Sequence, residues 1–215
     1  MAEAKAHPEN STARGRIDKR EAILDAAFTV FAREGYALAV VDTIAIEAGV
    51  AKRTVYNHFG DKETLFRAVF ARDADRAVAK NLEAVEQLAR DTGEVREVLL
   101  AVAFRLGQCY CDDRSWAVRR LMYAEITRFP DLLDLIRGRA MDRVNDALAD
   151  RLARLSLAGR LAIDDPSRAA EQFTALFTAP LEIRSQLGTR RVADAELHEV
   201  TDAAVHTFLQ AFGRS

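Results

Sequence analysis

Between Asp18 and Gly60 the chain runs through three short apolar-periodic segments, each stopped by a glycine. Ile23, Ala27, Val30 and Phe31 recur at i, i+4, i+7 and i+8 and stop at Gly35. That spacing lays the four side chains along one side of a helix. Val41, Ile44, Ala45 and Ala48 repeat the pattern briefly and stop at Gly49. A third segment from about Ala51 to Phe59 points Val55 and Phe59 inward and stops at Gly60. Glycine tolerates the left-handed conformation that closes a helix, so each stop reads as a C-terminal cap. Asp18 followed by Glu21 has the form of a capping box and sets the expected first helix start. Three short helices in succession predict a small trihelical unit.

From Asp61 onward the pattern changes to longer amphipathic helices. They are expected near 63–90, 94–111, 113–128, 130–158, 166–187 and 194–212, with breaks at Phe129-Pro130-Asp131, Asp164-Asp165-Pro166 and Gly188-Thr189. Only 10 glycines and 4 prolines occur among 215 residues, too few for the turns of an all-β protein. The expected fold is all-α. It comprises a tail over 1–13, a helix-turn-helix domain over 14–62, and a larger helical-bundle domain over 63–215. No stretch has the apolar length of a membrane span, so no membrane partner is expected. Met1 to Thr12 is polar and does not read as a secretory signal. Cys109 and Cys111 cannot build a disulfide framework, which favours a reducing, cytoplasmic location.

A net charge of -2 argues against nucleic-acid binding, for which a basic footprint is expected. The charge is unevenly spread, however. Arg14, Arg16, Lys19 and Arg20 form one basic group, and Lys52, Arg53 and Lys62 form another. Arg14-Gly15-Arg16 reads either as a loosely held basic tail or as an arm that enters the minor groove.

A helix-turn-helix needs a supporting helix, a tight turn containing Gly, and a second helix with a polar outer stripe. Val41 to Ala48, Gly49-Val50 and Ala51 to Phe59 meet these conditions. Lys52, Arg53, Tyr56 and Asn57 fall opposite Val55 and Phe59, and are groups that contact phosphates and base edges. The run from Ile44 to Phe66 resembles the DNA-binding signature of TetR-type repressors. Ile44-Ala45, Ala48-Gly49-Val50, Tyr56 before His58-Phe59, and Asp61-Lys62-Glu63 before Leu65-Phe66 carry the likeness over about 16–66. The resemblance implies that Tyr56, His58 and Lys62 hold phosphates, while Lys52, Arg53 and Asn57 face the major groove, with Thr54 completing the set. It implies a double-stranded DNA operator, a homodimer and a small-molecule effector. The family's usual Thr or Ser at the helix starts is replaced here by Ala39, Val40 and Ala51. Tyr123 to Pro130 and Asp165 to Phe173 further resemble an AcrR-like subgroup associated with multidrug-efflux control.

In such a family the larger domain encloses an apolar ligand, and its last two long helices pair between subunits. Candidate ligand contacts are Phe104, Tyr110, Trp116, Met122, Tyr123, Phe129, Phe173, Phe177 and Arg184. Each of these side chains also suits ordinary core packing. Glu125 and Arg105 or Arg184 could pair with a charged ligand group, but salt bridging or solvation is the favoured reading of these residues. Broad apolar faces over 166–187 and 194–212 suit burial against both own core and partner, and Pro180 should bend or break the first of them. Cys109 and Cys111, two apart on a helix, diverge too far to share an ion, and no metal, cofactor or catalytic constellation is expected. A helical small-molecule-binding or scaffold protein that keeps the fold without operator recognition is the alternative reading.

Overall fold

The computed structural model describes residues 8–90 and 93–214, with side chains at 8–14, 87, 89 and 90 left undescribed. Residues 1–7 of the expected tail lie outside the described residues. Helices are α1 (Pro8–Leu38), α2 (Val41–Glu47), α3 (Lys52–Phe59), α4 (Lys62–Arg90), α5 (Val95–Tyr110) and α6 (Asp113–Glu125). After these come α7 (Asp131–Ile136), a π-helical turn (Arg137–Met141), α8 (Asp142–Leu157), α9 (Pro166–Arg184) and α10 (Asp194–Phe212). The chain divides into two compact units between Phe70 and Ala71, within α4.

α1 begins ten residues before the expected start. Pro8 opens the helix, where its fixed φ and missing N–H cost nothing. Asp18 is therefore interior to α1 and not a cap, and Glu21 pairs with its neighbour Arg20 at 3.6 Å. Gly35 does break the helix as expected, at φ 74° and ψ 168°. Gly49 and Gly60 also take positive φ, 65° and 77°. The first unit closes around Ile23, Leu24, Phe31, Ile44, Val55, Leu65 and Phe66, all nearly inaccessible to solvent. Phe66 sits at the centre, edge-on to Phe31 at 4.9 Å and to Phe70 at 5.0 Å. Such offset aromatic pairs add to the stabilisation from apolar burial.

In the second unit α5, α8, α9 and α10 enclose one continuous core, built on Leu99, Val102, Leu148, Leu152, Phe173, Phe177, Val205 and Phe208. The expected helix over 130–158 is realised as α7 and α8 joined by the π-helical turn. α9 runs on through Pro180 to Arg184, so the proline does not break it. Asp112 caps α6 by accepting from Ser115 N at 2.7 Å, and Asp165 caps α9 by accepting from Arg168 N at 3.0 Å. Beyond α9 the backbone takes three successive positive φ values, at Gln186, Leu187 and Gly188. Ser185, fully buried, ties this turn together by accepting from the Gly188 and Arg190 N–H groups.

Candidate nucleic-acid interface and effector site

α2 and α3 are joined by the turn at Ala48 to Ala51, where Val50 N donates to Ala45 O at 3.0 Å. α3 buries Val55 and Phe59 and leaves Lys52, Arg53, Tyr56 and Asn57 exposed, with Tyr56 at 42%. The three expected readers, Lys52, Arg53 and Asn57, thus share the solvent side of one helix with the expected phosphate contact Tyr56. They are not equivalent. Lys52 is drawn back onto α2 by Asp42 at 2.9 Å, a pairing that raises its pKa. Arg53 and Asn57 have no side-chain partner among the described residues, and Thr54 is half-buried. Neither helix start carries a side-chain cap, Val40 preceding α2 and Ala51 preceding α3.

His58 is half-buried at the end of α3. Burial lowers its pKa, and the positive charges of Arg16, Lys19 and Arg20 lower it further. The α1 cations therefore lie beside the end of α3, where Arg20 is also over the Phe59 ring at 5.5 Å. Lys62, expected to hold a phosphate, donates to Ala37 O at 3.3 Å and rests over the Tyr36 ring at 4.6 Å. It begins α4, with Asp61 accepting from Thr64 N at 2.6 Å, which holds the Asp61 carboxyl below its usual range.

In the second unit the structure brings Tyr110, Trp116 and Tyr123 together but not the other effector candidates. Phe104 stacks on His198 at 3.8 Å, between α5 and α10. Phe173 and Phe177 are core residues packed edge-to-face at 5.8 Å, and Met122 and Phe129 are buried. Arg184 is committed to Glu199 through two contacts of 3.0 and 3.2 Å. Glu125 is half-buried and Arg105 is exposed. The cation that does join the aromatic group is Arg119, which the sequence reading passed over. Its guanidinium lies 3.9 Å from both the Tyr110 and Trp116 ring centres, and its Nη2 donates to Tyr110 O. Tyr123 donates to Glu182 at 2.8 Å. Burial pushes the Tyr110 hydroxyl up to about 12 and lowers the Arg119 pKa. The signal was present in the sequence, since Trp116, Arg119 and Tyr123 fall at i, i+3 and i+7 on one face of α6. The Cys111 thiol is likewise pushed up, to about 11, by burial, so both thiols are protonated at neutral pH.

Residues 23–69 match the family described as "Bacterial regulatory proteins, tetR family", and residues 97–214 match the "AefR-like transcriptional repressor, C-terminal domain". The chain belongs to the TetR family of transcriptional regulators. Its C-terminal match is to an AefR-like domain, where the sequence reading pointed to an AcrR-like subgroup. The HTH-type transcriptional repressor Rv1474c of Mycobacterium tuberculosis is 32% identical over 151 residues, which is 69% of this chain and 72% of the relative. The HTH-type transcriptional activator FasR of Mycolicibacterium smegmatis is 40% identical over 86 residues, 40% of this chain and only 37% of FasR. Among solved structures, a TetR-family regulator from Mesorhizobium loti has a TM-score of 0.86 at 29% identity, covering 93% of this chain and 98% of its own. The flavonoid-responsive regulator FrrA has a TM-score of 0.67 at 27% identity, covering 91% and 97%.

Proposed function

We propose that this TetR-family regulator is a repressor that binds a palindromic operator as a dimer and releases it when a small apolar or aromatic molecule occupies the larger unit. The observation that carries the reading is the outward stripe of α3, with Arg53, Tyr56 and Asn57 exposed opposite the buried Val55 and Phe59. Residues that a core helix would replace with neutral solvent-facing groups are here donors suited to phosphates and base edges. Arg53 and Asn57 read bases, Tyr56 and His58 hold phosphate, and the cations of α1 extend the basic surface. Lys52 must leave Asp42 to reach the groove, and Lys62 must leave Ala37. Both are exchanges of an exposed contact for a phosphate or base, with small cost.

Dimerisation would use α9 and α10. Their apolar faces are largely spent on the chain's own core, but Ala175, Ala179 and Ile183 remain exposed along α9, with Ile183 at 79%. Small residues beside one large aliphatic let a second helix pair approach closely, and a two-fold partner would set the readers at half-sites about 34 Å apart. The effector would favour a conformation in which that spacing is lost. α4 belongs to both units and is the continuous segment through which such a change would pass. FrrA is described as flavonoid-responsive, which supports an aromatic effector here as well.

The test is competition binding on DNA flanking the protein's own gene. A labelled fragment should be displaced by the same unlabelled sequence and not by a scrambled one. Equal displacement by both would leave a fold without operator recognition. The match to an activator makes reporter output the measurement of sign: repression requires higher expression when this gene is deleted.

A further inference from the structure

The ion pairs of the first unit differ in what they hold. Arg33 on α1 reaches Glu34 and Glu47 at 2.8 Å each, and Arg67 pairs with Glu63 within α4. Lys52, at the start of α3, is an expected base reader that is already engaged. Its Nζ lies 2.9 Å from Oδ1 and 3.0 Å from Oδ2 of Asp42, in the first turn of α2. The hydrogen bond and charge of Asp42 raise the Lys52 pKa, and Tyr56 adds a smaller effect of the same sign. The ammonium therefore stands beside an expected phosphate contact. This pair does little for the fold. Both side chains are 53% exposed, and ion pairs so open to water add little stability. α2 and α3 are already joined by Val50 N to Ala45 O, with Val41, Ile44, Val55 and Phe59 buried. Nor does Asp42 add affinity for DNA, since a carboxylate is repelled by phosphate and cancels a cation that phosphate attracts. What the arrangement can supply is discrimination.

We propose that Asp42 is a specificity-determining residue, which holds Lys52 back from the phosphates of unrelated DNA and releases it only to a guanine edge of the operator. This rests on the reading that α3 binds an operator, and it deepens that reading. Non-specific binding consists of phosphate contacts that release counterions, and a lysine held by a carboxylate brings no net charge to them. Guanine presents O6 and N7 together in the major groove, and a lysine contact there offsets the loss of Asp42. Asp42 therefore weakens binding to unrelated sequence more than binding to the operator. Specificity is that difference of affinities, and a repulsive group can supply it as well as an attractive one.

The full-length protein is titrated at a series of salt concentrations with two labelled duplexes, one from DNA flanking its own gene and one with the same bases scrambled. Asp42→Asn should bind the scrambled duplex roughly three- to tenfold more tightly at low salt, with a salt slope steeper by about one. Its affinity for the flanking duplex should rise by a smaller factor, so that the ratio of the two affinities falls about threefold. Lys52→Gln supplies the control. On that background Asp42→Asn should raise both affinities equally and leave the ratio unchanged, because no cation remains to be released. An unchanged ratio in Asp42→Asn, or the same fall with and without Lys52, would overturn the assignment. The exposed pair predicts a wild-type melting temperature for each variant, and Asp42→Ala replaces Asp42→Asn if the latter does not fold. The wild-type protein separates the two claims. If it shows no preference for the flanking duplex, the repressor reading itself fails, whereas a preference that Asp42→Asn leaves intact removes this inference alone.

Discussion

At the scale of single residues, His58 is the most informative position. Its folded pKa is lowered, first by burial and then by Arg16, Lys19 and Arg20. The unfolded chain therefore takes the proton more readily. The stability that depends on neutral His58 is fully present above the unfolded histidine pKa and is lost as pH falls through the lowered folded value. A phosphate reverses the sign, because it offsets the neighbouring cations and favours the imidazolium. Operator affinity should consequently rise by roughly three- to tenfold between about pH 8 and pH 6 at fixed salt. Fluorescence anisotropy at a series of pH values checks this, and His58→Asn should flatten the curve. The sequence motif named His58 but could not show that its pKa is lowered, because its burial depends on the packing at the end of α3 and the cations that add to the shift come from α1, some forty residues earlier in the chain.

At the scale of elements, helix ends and turns carry the testable weaknesses. Ala51 precedes α3 in an extended conformation, φ -71° and ψ 144°, with no side-chain cap. Ala51→Ser places a hydroxyl where it can accept from the first-turn N–H groups, and should add about 0.5–1 kcal/mol of stability, read from the denaturant midpoint. The turn after α9 is the opposite case. A Cβ on Gly188 would lie 2.4 Å from the Trp116 ring, and φ there is +78°. Gly188→Ala should therefore cost about 2–4 kcal/mol and alter the Trp116 emission of the folded protein. Much of this level was legible in the sequence. Glycine stops and apolar periods located α2, α3, α5, α9 and α10 within a few residues. The start of α1 was not, because Pro8 to Arg16 carries no apolar period and the Asp18–Glu21 pair imitates a helix start. Nor was the role of Pro180, since a proline inside a pattern announces a lost donor but not whether the neighbours keep the helix intact.

At the scale of the whole molecule, the candidate interface was readable and the effector site only partly so. Local sequence sets both faces of α3, so its outward stripe follows from spacing alone. The aromatic group around Arg119 joins α5, α6 and α9, and such a junction depends on tertiary packing that no single period reveals. Arg184, chosen from the sequence, is instead held by Glu199 on α10. Oligomeric state belongs to this scale too. Under the proposed pairing through α9 and α10, Ile183→Glu puts a charge in the exposed stripe of α9 and should shift the sedimentation of the protein toward monomer, with weaker operator binding and an unchanged helical signal.

The central claim is that α3 and its basic surroundings hold DNA through phosphates and bases together. It is tested most directly by the salt dependence of binding to DNA flanking the protein's own gene, for the wild type beside Arg53→Ala and Tyr56→Ala. Affinity of the wild type should fall steeply and linearly on logarithmic axes. Both variants should bind the specific fragment at least about tenfold more weakly at one salt concentration while keeping the wild-type melting temperature. A flat salt profile, or stable variants that bind as tightly as the wild type, would contradict the account.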